Sequence, residues 1–317
     1  MKLDAGSLHV ERAAEIAAEA HAMKKRGEVR PAREDRERVC AFGIDAQIAF
    51  CNPKGSLFVP GAVEDTQRAV DFFAARLARV TTMVLSLDTH AVHQIFHPSF
   101  WVNGDGDHPA PFTVISRVDV ASKKWIPVRD RDACVEYVGK LEASGKYVLT
   151  IWPYHALLGG VSHALVPAVM ELAMLHALAR DADTIFETKG QFPLTENYSV
   201  LSPEVTELAS LGSGARVGAF NTKLFDLLMK HDRVYVFGQA KSHCVLSTLL
   251  DMRAQIERAD RALAKKIFVL VDAMSPVPPP PLDPLPPALD FPRVAARALE
   301  ELRAFGMNLV TTTDGHW

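Results

Sequence analysis

One cysteine of the chain stands in a setting suited to chemistry. The stretch VFGQAKSHCVLST, residues 236–248, reads as a buried strand, a turn and a helix, with Cys244 at the helix start. A thiol there feels the positive end of the helix dipole, which favours the reactive thiolate. Inert core packing is the competing role for any free cysteine, so the rest of the chain has to decide. Asp45 is a carboxylate able to take a proton from such a thiol and pass it to a leaving group. Lys189, placed between them, would hold both in charged form. Asp88, His90 and His155 make a second set of one carboxylate and two imidazoles. Such donors suit Zn²⁺ or another first-row divalent metal, with room for water or substrate. The run THAVHQIFHPSFW (89–101) adds His97 as a further ligand or a contact to metal-bound water, and His93 as an exposed loop residue.

What positions these residues is an alternation of short apolar, β-branched runs with helical patterns, which predicts a parallel sheet covered on both faces. Strands are predicted at Arg38–Ile44, Thr81–Leu87, Lys146–Ile151, Asp183–Thr188, Arg233–Gly238 and Lys266–Val271. Helices are predicted over 62–79, 131–143, 164–180, 221–230, 243–259 and 292–304. In such sheets ligands bind beyond the carboxyl ends of the strands. Five consecutive predicted strand ends deliver Asp45, then Asp88 and His90, then His155, Lys189 and Cys244 to one rim. Any one of these could be a helix cap or a solvated loop residue; together they predict an active site around Cys244.

The chain has 317 residues, 48% hydrophobic and 23% charged, the profile of an ordinary globular protein with material for a large core. A net charge of −3 carries no electrostatic footprint for nucleic acid. No run of about 18 apolar residues predicts a membrane span. Cys40, Cys51, Cys134 and Cys244, irregularly spaced, form no disulfide framework, so a reducing cytoplasm is expected. Residues 1–30 are read as a separate amphipathic helical segment whose apolar face needs cover, expected at a homo-oligomer interface. Residues 31–317 are read as one domain with insertions at about 102–128, a hairpin or long loop, and at 276–290, which contains the proline-rich SPVPPPPLDPLP.

Taken in order, these motifs resemble the nicotinamidase branch of the isochorismatase-like cysteine hydrolases. FGIDAQIAFCNPKGSLFVPGA (42–62) is similar to the opening motif of that branch, and DTH…HPSF (88–90, 97–100) to its Asp-x-His…His-x-Ser-Phe segment. WPYHALLGG (152–160) is similar to its Trp-Pro-x-His metal motif. TKG…TENYS (188–199) resembles the lysine segment, and GQAKSHCVLST (238–248) the nucleophile segment. The matches cover residues 38 to about 275. The resemblance implies a three-layer α/β/α sandwich, Rossmann-like, with a central, mostly parallel sheet of about six strands. It implies a Cys244–Asp45–Lys189 triad, and a metal held by Asp88, His90 and His155, zinc first with iron or manganese as alternatives. It also implies a cis peptide at Gln239–Ala240 and an oxyanion hole from the backbone N–H groups of Ala240 and Cys244. Phe50 and Trp101 join His97 as candidate contacts to substrate or metal-bound water. The implied activity is hydrolysis of nicotinamide or a close heteroaromatic amide to the acid and ammonia through a thioester. Another small amide or ureide is the second reading, and a catalytically idle binding or scaffold relative the third. Where the family continues Cys-Val-x-x-Thr-x-Gly after its histidine, this chain reads ALLGGVSHALV, which leaves the substrate open at 156–166.

Overall fold

The computed structural model describes residues 2–281 and 283–317. Its centre is a six-stranded, wholly parallel sheet made of β1 (Val39–Ile44), β2 (Thr82–Asp88), β7 (Thr184–Lys189), β8 (Arg233–Gly238), β9 (Ile267–Leu270) and β10 (Asn308–Val310), in the order β10-β9-β8-β1-β2-β7. Two small antiparallel pairs lie outside it: β3 (Trp101–Val102) with β5 (Ile126–Pro127), and β4 (Val114–Ile115) with β6 (Leu149–Thr150). Alternate side chains of β1 enter opposite layers, as strand geometry requires. Phe42 and Ile44 join Val84, Val234, Val236 and Val269 in one core, while Val39 and Ala41 join Met83, Leu85, Tyr235 and Phe237 in the other. The helices are α1 (Ala13–Lys25), α2 (Ile48–Cys51), α3 (Ala62–Ala75), α4 (Arg117–Ala121), α5 (Arg131–Ser144), α6 (Pro167–Arg180), α7 (Thr222–Met229), α8 (Cys244–Ala259) and α9 (Phe291–Phe305). The first core is closed by α5, α7, α8 and α9, and the second by α3 and α6. This is the expected three-layer sandwich.

Two expectations need correction and a third is refined. The predicted strand 146–151 is not in the central sheet: only Leu149–Thr150 pairs, with Val114–Ile115 of the insertion. The sixth sheet strand is instead Asn308–Val310, beside β9. It had no sequence signal, because it is three residues long and half-buried at a sheet edge. The insertion 102–128, expected as a hairpin or long loop, is closed by the β3–β5 pair and also contains α4 with a Ser116/Asp119 capping box. The apolar face of α1, with Ile16 and Ala20 buried, is covered within the chain by α6. Arg12 clamps it there through the fully buried Glu171 carboxylate, at 2.6 Å. Among the described residues no helix is long and apolar enough to cross a membrane.

Candidate active site

Register assembles the site. Asp88 is the last residue of β2 and pairs directly with Lys189, the last residue of β7. Asp45 follows β1, whose Ile44 lies opposite Gly238 of β8. Gly238 has φ +118°, and a Cβ there would meet the Ile44 carbonyl oxygen at 2.0 Å, so only glycine lets the chain turn here toward Cys244. The Gln239–Ala240 peptide is cis. Asp45 itself sits at φ 47°, a left-handed conformation that aspartate tolerates better than most residues. The Ser86 hydroxyl accepts from the Asp45 amide at 3.0 Å and donates to its carboxylate at 2.5 Å, fixing that turn.

The Lys189 ammonium is the hub. Its Nζ lies 2.9 Å from Asp45 Oδ2 and 2.9 Å from Asp88 Oδ1. It also donates to the Asn197 carbonyl at 2.8 Å and sits 3.6 Å from Cys244 Sγ. Burial works against the ammonium, yet Asp45 and Asp88 together outweigh it and raise its pKa well above the usual lysine value. For Cys244 the expectation was a favoured thiolate. Burial overrides it: the thiol is pushed well above its ordinary value, with Lys189 pulling it down and the two carboxylates pushing it up. Burial raises Asp45 as well, against the pull of Lys189. Burial thus works against the charged form of both groups, and Lys189 offsets it in each.

On the other side of Asp88, three donor atoms of Asp88, His90 and His155 converge within 4.8 Å of one another. Asp88 Oδ2 lies 2.7 Å from His90 Nε2 and 3.6 Å from His155 Nε2, while Oδ1 stays with Lys189. Each imidazole turns its other nitrogen to a carbonyl: His155 Nδ1 to Pro153 at 2.7 Å, and His90 Nδ1 to Gly190 at 3.3 Å. That outer contact fixes ring orientation in metal-ligating histidines. The His97 ring stands 5.8 Å from the His90 ring and 5.7 Å from that of His155. Its Nδ1 faces the Ala91 and Val92 carbonyls, whereas its buried Nε2 has no partner. Burial, reinforced by His155 and His90, lowers its pKa to about 3, so the ring is neutral and able to ligate. Gly190 closes the wall; a Cβ there would meet His90 Cε1 at 2.7 Å and Asp88 Oδ1 at 2.9 Å. This donor set fits a divalent cation.

Although its predicted strand is absent from the sheet, His155 still arrives. The loop that carries it is stitched to the His90 segment by Trp152 N–H to Phe96 O at 2.8 Å, His90 N–H to Ala156 O at 3.0 Å and Leu158 N–H to His90 O at 2.9 Å. Gln47 ties the ensemble together, accepting from the Asp88 amide and donating to the Asp88 and His163 carbonyls. The pocket between Cys244 and the imidazoles is walled by Phe50, Phe96, Trp152, Tyr198 and His243. Phe50 lines this pocket, edge-on to His155 at 5.6 Å. Trp101 does not. It is fully buried in the core and its indole donates to the Ile95 carbonyl at 2.6 Å. Sequence reasoning missed Trp152, Tyr198 and His243 as wall residues, although all three sat inside motifs it had singled out. Among the described residues the amide N–H groups of Ala240 and Cys244 donate to no other protein group, leaving both free for a ligand.

A parallel three-layer sandwich, with a cysteine at the start of the helix after an interior strand and a lysine and two carboxylates beside it, is a fold the chain shares with solved nicotinamidases. No protein-family model matches the chain, and no curated protein matches it in sequence. Solved structures do. The yeast nicotinamidase Pnc1p bound to the inhibitor nicotinaldehyde aligns with a TM-score of 0.53 at 18% identity, over 86% of this chain and 99% of that one. A nicotinamidase/pyrazinamidase of Acinetobacter baumanii aligns with a TM-score of 0.53 at 19% identity, over 89% and 99%. At these identities the likeness establishes the fold.

Proposed function

We propose that the chain is a metal-dependent cysteine amidohydrolase that converts nicotinamide, or a close heteroaromatic primary amide, to the carboxylic acid and ammonia. The observation that carries this reading is the buried Lys189 ammonium, within 2.9 Å of both Asp45 and Asp88 and 3.6 Å from Cys244 Sγ, beside an aromatic pocket that Cys244 and Asp88 line. Cys244 Sγ attacks the amide carbonyl carbon while its proton passes to Asp45, and Lys189 offsets the negative charge that moves between them. The developing oxyanion takes hydrogen bonds from the Ala240 and Cys244 amides. Asp45 then protonates the departing nitrogen, releasing ammonia and leaving an acyl thioester. Water, deprotonated by Asp45, cleaves that ester and returns the thiol. A shared proton suits this cycle: an acid–base group works best when its pKa lies near working pH, and burial moves Asp45 upward in that direction.

Asp88 Oδ2, His90 and His155 would hold the cation, with the unpartnered His97 Nε2 as a further ligand or a contact to metal-bound water, and zinc is the first choice for this donor set. Bound there, it would supply a Lewis-acid contact that orients the ring nitrogen of the substrate. The four unpaired, buried cysteines fit a reducing, cytoplasmic setting. Ammonia release from nicotinamide, in protein of determined metal content, tests the reading. Activity in the wild type and none in Cys244→Ala supports it, and no release from metal-loaded wild type contradicts the nicotinamide assignment.

A further inference from the structure

The pocket at Cys244 does not end at its aromatic walls. A second cavity of about 410 Å³ adjoins it, against about 40 Å³ for the inner pocket, and the two share Leu57, Trp152 and Val277 as a common partition. The outer volume falls in the range of about 300–1,000 Å³ typical of small-molecule sites. Its walls come from the segments that lengthen this chain: Phe112 from the insertion, Pro278–Pro281 from the proline-rich stretch, and Leu289 and Phe291 around the start of α9. None of its described lining side chains is ionisable.

Two further features mark it as built. The proline-rich stretch is rooted on the nucleophile turn, where Val277 N–H donates to Ser242 Oγ at 3.0 Å and Lys241 N–H to the Ser275 carbonyl at 2.9 Å. Proline fixes φ, so a run of four gives a wall that loses little entropy when a ligand lies against it. Phe112 sits at φ 70°, a conformation bulky residues avoid, with its ring half exposed. That ring stands edge-on to Trp152 with centroids 5.9 Å apart, at the partition between the two cavities. Strain of this kind clusters at ligand sites.

We infer that the outer cavity is a substrate subsite, and that the preferred substrate is an aromatic primary carboxamide bearing an uncharged aryl or branched-alkyl substituent. The amide reaches Cys244, and the substituent passes Leu57 and Trp152 to lie between Phe112 and the proline wall. This assignment rests on the amidase reading, and two measurements separate them. The first is calorimetric binding of nicotinamide and of phenyl-substituted nicotinamides, with the phenyl at each ring position, to metal-loaded Cys244→Ala protein. The second is the ratio of kcat/KM for the same amides in wild type, Leu289→Asp and Phe112→Asp. Phe112 is half exposed, so its variant keeps the test usable should Leu289→Asp not fold. At least one phenyl analogue binds about tenfold tighter than nicotinamide, the effect expected for burying part of a phenyl ring. A carboxylate placed in the cavity abolishes that advantage. Equal or weaker binding by every phenyl analogue, or a preference untouched by both variants, overturns the subsite. Tight, variant-sensitive binding without ammonia release from any amide upholds the subsite and overturns the amidase reading.

Discussion

The two halves of the site, joined at Asp88, are built in different ways. The nucleophile half takes Asp45 and Lys189 from the ends of β1 and β7, which flank β2, and Cys244 from the helix after β8. Its groups touch one another, with Lys189 in contact with two carboxylates, a carbonyl and the thiol. In the cation half only Asp88 and His90 come from a sheet strand and its immediate end, while His97 and His155 are brought in by loops. There the donor atoms of Asp88, His90 and His155 converge within 4.8 Å of one another, and beside them His97 Nε2 is buried without a partner. A charge network that closes on itself can stand alone, whereas a convergent set of one carboxylate and two imidazoles is completed by something it binds. The comparison teaches that the first half is assembled by folding and the second by folding plus a ligand.

That contrast can be broken at four places. Replacing Cys244 by Ala should lower ammonia release by about 10⁴-fold or more, with metal content unchanged. Asp88→Asn strikes both halves. Metal affinity should fall by about a hundredfold or more, measured by competition with a chelator, and Lys189 loses one of its two carboxylates, so activity should not return fully when metal is restored in excess. His97→Ala confines the damage to the cation half: affinity should fall by about tenfold, and excess metal should restore the rate.

The smallest effect concerns the aromatic wall. Glu196 accepts hydrogen bonds from Tyr198, Tyr137 and Trp152, and burial raises its pKa from the ordinary 4.5 to about 7. A carboxyl raised in the folded state contributes stability that is full below its unfolded pKa and lost as pH rises through the folded value. Between about pH 5 and about pH 8 the wild-type Tm should therefore fall, and Glu196→Gln should flatten that fall. A variant whose Tm follows pH as the wild type does would show that Glu196 is not the group responsible.

Legibility in the sequence followed the same division. Asp45, Lys189 and Cys244 could be read because each follows a run of β-branched or aromatic residues, buried in β1 and β8 and partly exposed in the edge strand β7, and strand ends of a parallel sheet share one rim. His155 was placed correctly for a reason that does not hold, since its predicted strand is not in the sheet. Backbone bridges to the His90 loop bring it in, and these leave no periodic signal. Trp101 was misassigned because an indole next to a histidine-rich run reads the same whether it faces a pocket or the core; its hydrogen bond to Ile95 decides for the core. For Cys244, a helix start and a lysine are visible in sequence, whereas the burial beside two carboxylates that pushes the thiol up is a property of the fold.

The most direct test of the account is the intact mass of metal-loaded protein quenched during turnover with nicotinamide, followed by peptide mapping. The account predicts a nicotinoyl adduct on Cys244 that disappears as substrate is exhausted. Turnover with the adduct on any other residue, or undiminished turnover in Cys244→Ala, would contradict it.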